Sequence, residues 1–484
     1  MNVNATNSSP STKASRLGAL VPLMAALILA GCASALPAPA EHAGVEIPAS
    51  FSTPAAQPAA GWTTAAPAES QARGQWWLAF ADPELNALVE RAGSANTDIQ
   101  TAAARLAEAR ALLRNADAQR QPQLGASGGV ARQAGANSAG GAQPATLATA
   151  GLNLSYEVDL FGRLSQASQA AQLDAQSREA LLQSARLMVQ ADVAQTYMQL
   201  RSLQTERQLV QQSLVAYGDT LKLIERRYNA GDAAELDVAR MQTEVSATES
   251  EAFALERQQA VLTHALAVLV GDVASGFTLD PTSAEPHLPV IPAGVPGTML
   301  ARRPDVSAAQ ASVLAAQARV GVAQAAWFPA ITLTGNGGYA SPELGDLFKW
   351  SARSWGIGAL LSLPIFDGGQ RAAQEDGARA RLEAAVAAQR GQVLIAFRDV
   401  EDQLSTLRLL AGQAQSLGQA VKSAERATHL SDVRYRNGLV SQLELLDARR
   451  AELRNRRQAL QVYTAQYVAT IGLIRALGGD WSAA

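Results

Sequence analysis

The hydrophobic pattern changes period several times between residues 96 and 271, and each change predicts a different element. Thr97 to Arg120 is rich in Ala, Leu and Arg, with Thr97 as the expected N-cap and Pro122 as the stop. Gln123 to Arg132 reads as a Gly-rich strand, followed by a Gly, Ser, Asn and Ala loop to about Thr146. Leu152 to Leu160 then alternates apolar and polar residues with period two. From Arg163 to Tyr217 there is neither Gly nor Pro, and heptads take over. Val189, Thr196, Leu203, Val210, Tyr217 and Ile224 mark one seam position. Val193, Leu200, Leu214, Leu221 and Tyr228 mark the other, with Arg207 as the break. A helix over Arg163–Asn229 would be a rod of about 100 Å. Gly231 closes it, and a partner helix is expected from Ala234 to Val270.

The plan then recurs. Arg227–Gly231 matches Arg434–Gly438 at an offset of 207, which also carries Leu236 onto Leu443, Pro122 onto Pro329, Gly162 onto Gly369 and Asp98 onto Asp305. One offset shared by so many anchors marks a tandem duplication, with repeats at 96–271 and 303–478. The second repeat predicts a helix from Arg303 to Ala326 and alternation from Ile331 to Thr334. A strand face follows at Trp355, Ile357, Ala359, Leu361, Leu363 and Ile365, then a rod from Gly369 to Tyr435 and a return from Ser441 to Leu477. Between the repeats, residues 272–302 are crowded with proline and read as a linking belt, and 479–484 as a tail.

Alternating strands suit a wall with lipid on one side and water on the other, and aromatic residues gather near their ends: Tyr156, Phe161, Trp327, Phe328, Tyr339, Trp350 and Phe366. Four strands cannot close in a membrane, because an open edge is forbidden there. Sister chains must complete the ring, and strand arithmetic does not choose between two copies and three.

The N-terminus fixes the compartment. Lys13 and Arg16 precede an apolar run from Leu17 to Ala30, and Leu29-Ala30-Gly31-Cys32 has the pattern of a lipoprotein cleavage box. Residues 1–31 are then a signal peptide and 32–95 a lipidated tether and equatorial segment. Cys32 would carry S-diacylglycerol and an N-acyl chain; Ala33 in place of Asp disfavours inner-membrane retention. Pro22 and the small-residue box argue against an uncleaved anchor. Cys32 is the only cysteine among 484 residues, so no internal disulfide is possible. A net charge of −3 implies no nucleic-acid partner, and four scattered histidines lack metal-ligand spacing. No catalytic or nucleotide-binding string is present, so neither a non-lipid cofactor nor an enzyme is expected.

Several segments carry a resemblance. Trp76-Trp77 through Leu85, Tyr156-Glu157-Val158-Asp159-Leu160-Phe161-Gly162-Arg163, Leu288–Pro292 leading into Arg302–Val306, Arg434–Gly438 and Leu445–Arg450 occur in the order seen in one family. The chain resembles the outer-membrane factors of the TolC superfamily, in particular its OprM/NodT-like lipoproteins. The resemblance implies a mixed α and β membrane protein. Four strands and long coiled-coil helices per protomer would form a homotrimer, whose 12-stranded barrel in outer-membrane lipid continues into an α-helical barrel. It also implies a periplasmic adaptor and an inner-membrane RND-type transporter as partners, and export of drugs or toxic compounds. Leu443, Asp447 and Arg450 share a helix face; by resemblance they line a periplasmic gate, with Leu443 an apolar plug. Arg240, which the offset places on Asp447, is a candidate contact for it. The tips, at Gly231, Gly438 and Ser441, are the expected adaptor docking points. A type I secretion or metal-export duct of the same fold, a non-conducting coiled-coil lipoprotein and a periplasmic enzyme remain the alternatives.

Overall fold

The computed structural model describes residues 44–52, 63–64, 75–133, 144–279, 287–291 and 296–479, all within the compact unit Glu41–Ala484. The signal segment and Cys32 lie outside the described residues. Eight helices are labelled here in chain order: α1 (Pro83–Ala95), α2 (Thr97–Ala118), α3 (Arg163–Asn229), α4 (Glu235–Leu269), α5 (Pro296–Arg302), α6 (Pro304–Ala325), α7 (Gln370–Arg436) and α8 (Gln442–Ala476). The strands of the larger sheet are β1 (Gln123–Gln133), β2 (Ala145–Val158), β3 (Ala330–Ser341) and β4 (Arg353–Ser362); a separate parallel pair joins Thr63–Thr64 to Pro289–Val290. Adding 207 to the bounds of α2, α3 and α4 reproduces the bounds of α6, α7 and α8.

Each rod is 67 residues, about 100 Å at the α-helical rise, and each returning helix has 35 residues. The heptad reading predicts the packing well. Val189, Leu203, Val210, Tyr217 and Ile224 are buried, as are Val193 and Leu200 on the second seam. Thr196 is only half-buried, and Tyr228, near the rod's end, is exposed. Both rods start at a glycine with positive φ, +75° at Gly162 and +93° at Gly369, a conformation costly for other residues. Nearby aspartates satisfy the free N–H groups there. Asp159 accepts from the amides of Leu164 and Ser165 at 3.0 and 2.7 Å, and Asp367 from Gly369 and Arg371 at 3.0 and 3.2 Å. Burial opposes the Asp159 charge, but the two amides, the Ser165 side chain and the Arg120 charge together outweigh it and hold its carboxyl below the usual range.

Some expected ends move. The N-cap of α2 is Asn96, not Thr97: its side chain accepts from Asp98 and Ile99 at 2.9 and 3.2 Å. Strand β2 begins at Ala145, inside the expected loop, and stops at Val158 because Asp159 is turned to cap the rod. Strand β4 stops at Ser362, so Leu363 and Ile365 fall outside it; Pro364 has no N–H for a ladder.

The sheet runs β1-β2-β3-β4, antiparallel throughout. Its register sorts the side chains. Leu124, Ala126 and Val130 stand opposite Leu154, Leu152 and Ala148, while Tyr156, Leu333, Ala359 and Ile331, Leu361 continue the same apolar face. The other face carries Gln123, Ser127, Asn153, Ser155, Thr332, Thr334 and Asn336, with Leu147 and Leu360 as exceptions. Asn153 donates to Ser127 at 2.7 Å on that polar side. Nothing among the described residues covers the apolar face: Ile357 is 85% exposed and Trp355 75%. Where β2 and β3 cross, Gly151 and Gly338 face each other so closely that a Cβ on either would strike the opposite backbone.

Below the sheet lies the main core, built from Trp76, Trp77, Phe80, α1, the middles of α3 and α7 and the ends of α4 and α8. Asp82 is its buried polar hub. It caps α1 through the amides of Glu84 and Leu85 and accepts from the Tyr197 hydroxyl at 2.8 Å. Burial first, and then Asp82 itself, push the Tyr197 phenol far above its usual range. At the repeat junction, buried Arg303 donates to Asp305, to Asp399 and to the Ala476 carbonyl. Segment 44–52 lies against this core through Val45, Ile47 and Phe51, and Ser52 donates twice to Glu401 at 2.6 and 2.7 Å.

The two faces of the sheet should differ in tolerance. Ile357→Lys, on the apolar face, should cost about 2–4 kcal/mol in lipid and sharply lower the yield of assembled protein in the outer membrane. Thr334→Lys, on the polar face, should assemble normally; equal loss from both would contradict the assignment.

Candidate functional site

The rods and their returning helices end in two reversals far from the sheet. At the first, Gly231 (φ +81°) donates to the Tyr228 carbonyl at 2.9 Å and Asp232 to Arg227 at 2.8 Å. At the second, Gly438 (φ +74°) donates to Tyr435 and Leu439 to Arg434, both at 2.9 Å. This bonding pattern needs a left-handed residue after the helix, which is why glycine stands at both. Ser441 has a defined task as the N-cap of α8, accepting from Glu444; its counterpart Ala234 caps nothing through its side chain.

One to two turns above the second tip, Leu443 is 45% exposed and the Asp447 side chain 63% exposed. Arg450 lies 3.7 Å from Asp447 across one turn, but its main partner is Glu244 of α4, to whose carboxylate Nε donates at 2.8 Å. That hydrogen bond holds the Arg450 guanidinium above its ordinary pKa despite burial. The contact suggested for Arg240 is not made among the described residues. Arg240 is exposed and has no ion pair among the described residues, and Glu244, one turn further along α4, takes the bond to α8 instead. Beside this pair, burial and then the Glu244 charge push the Tyr217 phenol up to about 12. Arg449 reaches the other way, to Thr220 on α3 at 3.1 Å and Asp432 on α7 at 3.2 Å.

Higher up, Arg457 joins three helices. It bonds Glu206 on α3 at 2.8 Å and pairs with Glu251 on α4. Burial works against its charge, and the two carboxylates more than offset that. Glu206 is 6% exposed. Sequence reading missed Glu244, Glu206 and Glu251. Counting one turn on from Arg240 reaches Glu244; the partners of Arg457 leave no local signal, lying as far as 251 residues away.

An amphipathic sheet with two open edges, set on paired rods that end in charged tips, defines one protomer of a membrane β-barrel channel extended by a helical duct. The chain belongs to the outer membrane efflux protein family, whose model matches it twice, over residues 88–272 and 295–479. It is 35% identical to the outer membrane protein OprJ of Pseudomonas aeruginosa, over 89% of this chain and 92% of that one. To OpmQ of the same species, a pyoverdine export outer membrane protein, it is 31% identical over 95% and 96%. The solved outer-membrane channel OprN superimposes with a TM-score of 0.81 at 30% identity, over 90% of this chain and 98% of that one. The protein is an efflux channel subunit of the outer membrane.

The Arg457 cluster predicts an asymmetry. Arg457→Ala leaves Glu206 buried and unpaired and should destabilise the helical duct by about 3 kcal/mol, whereas Glu206→Ala leaves Arg457 paired with Glu251 and should cost clearly less. Thermal unfolding followed by helical circular dichroism compares them. Equal losses would mean that burial of the Glu206 charge is not what matters.

Proposed function

We propose that this channel is the passive exit duct of a tripartite exporter for small organic compounds. A periplasmic adaptor docks on the tips at Gly231, Gly438 and Ser441, and an inner-membrane RND-type transporter supplies the energy. The observation that carries this reading is the sorted sheet: an apolar face for lipid and a hydroxyl- and amide-bearing face for water, continued by rods about 100 Å long. The similarity to a pyoverdine exporter over nearly the whole chain supports a small organic cargo. The protein itself performs no chemistry in this scheme, and its lipid at Cys32 is an anchor.

At the periplasmic mouth, Leu443 is the apolar plug, and Asp447 and Arg450 are the charges that hold it shut. The Arg450–Glu244 bond adds a reason for closure: it ties α8 to α4 of the same protomer, so the second hairpin cannot swing away until that bond breaks. Closed-state leak in planar bilayers should rise for Arg450→Ala and Asp447→Ala, and also for Glu244→Gln. Unchanged leak in all three ends the gate reading. Gly438→Trp or Ser441→Trp should abolish dye efflux in cells while leaving channel assembly intact. Normal efflux by both would move the docking point elsewhere.

A further inference from the structure

The apolar face of the sheet bears charge at two positions among the described residues, Arg132 and Arg353. Arg132 is the penultimate residue of β1 and Arg353 the first of β4, so both lie at the end of the sheet remote from the rods. These strands are also the two open edges of the sheet. β1 runs away from the rods and β4 back toward them, so closing the ring pairs them antiparallel across each subunit seam. Arg132 of one subunit then stands on the lipid-facing side near Arg353 of the partner subunit. Two guanidiniums brought together repel each other, and more strongly where water is scarce. Such a pair is stable with an anion between its members.

We infer that each outer seam of the barrel binds a phosphate-bearing lipid headgroup of the external leaflet, clamped by Arg132 and the partner subunit's Arg353. The surroundings fit an amphiphile. The Arg353 guanidinium is held 4.3 Å above the Trp350 ring, and Phe348 meets Tyr339 edge-on at 5.7 Å. Trp350 and Phe348 are 73% and 74% exposed, as aromatic residues at headgroup depth are expected to be. Lys349, in the same loop, is paired with Asp346 at 2.5 Å, so that couple adds no net charge beside the arginines. The acids Glu343 and Asp346 belong to the β3–β4 loop, not to the lipid-facing side of the strands. Because the arginines extend the apolar face directly, the ligand must carry its phosphate immediately above acyl chains. A guanidinium pair suits a phosphate through several parallel N–H bonds.

This inference rests on the barrel reading, and one experiment separates the two. The purified channel in neutral detergent is titrated with diphosphoryl lipid A, with phosphatidylcholine or with inorganic phosphate, and bound species are counted by native mass spectrometry. Lipid A should bind in preference to phosphatidylcholine, and millimolar inorganic phosphate should not displace it. The R132Q/R353Q double variant should lose about tenfold or more in lipid A affinity, and R132K/R353K less. Wild-type binding no tighter than that of phosphatidylcholine, or unchanged in the glutamine variant, overturns the clamp. Should the glutamine variant not assemble, lipid A binding by wild type that is insensitive to added salt overturns it equally. The same spectra report the mass of the assembly. A wild-type monomer defeats the barrel reading, whereas an intact ring without lipid preference defeats only the clamp.

Discussion

Backbone hydrogen bonding in lipid is the constraint from which the rest of this molecule follows. Strands β1 and β4 each present one edge of N–H and C=O groups that no other described strand of the chain meets. In hydrocarbon an unpaired peptide group costs several kcal/mol, and a strand's worth of them is prohibitive. The apolar face adds a second demand, since side chains such as Ile357 and Trp355 have no cover among the described residues. Lipid meets the second demand and sister copies meet the first. A protomer of this kind is incomplete by construction.

The junction between sheet and rods shows how little chemistry is needed to change from one architecture to the other. A left-handed glycine redirects the chain at Gly162 and Gly369, and an aspartate just before each supplies the missing acceptor. Around this turn the side chains grip the sheet end: Arg163 clasps Glu157 at 2.7 Å, and Phe161 stacks on Phe328 at 4.8 Å. The second repeat does the same work with its aspartate one position later, Asp367 aligning with Leu160 by the offset. The duplicated frame therefore tolerates local substitution where the physical task is preserved. At the tips it diverges further, for Arg240 and Asp447 share an offset but not a partner, and Glu244 aligns with Ala451.

Features written in a local period were readable from the chain. The span of α3, the alternation in β2 and the glycines closing both hairpins follow from spacing alone, because burial repeats every 3.5 or every two residues along each element. Ends were less legible. Asn96 and Thr97 are both competent caps, and only the packed direction of α2 decides between them. The charged clasps were the least legible: Arg457 with Glu206 and Glu251, and Arg450 with Glu244, join elements that no periodicity relates. Among exposed heptad positions a charge is ordinary. It becomes informative only once a partner helix is known to cover it.

The most direct test of the account is amide hydrogen exchange of the assembled protein in lipid nanodiscs, resolved to β1 and β4. If sister subunits seal the edges, the amides of these strands exchange as slowly as those of the inner strands β2 and β3. Fast exchange confined to β1 and β4, in a sample whose β2 and β3 are protected, would show the edges open and contradict it.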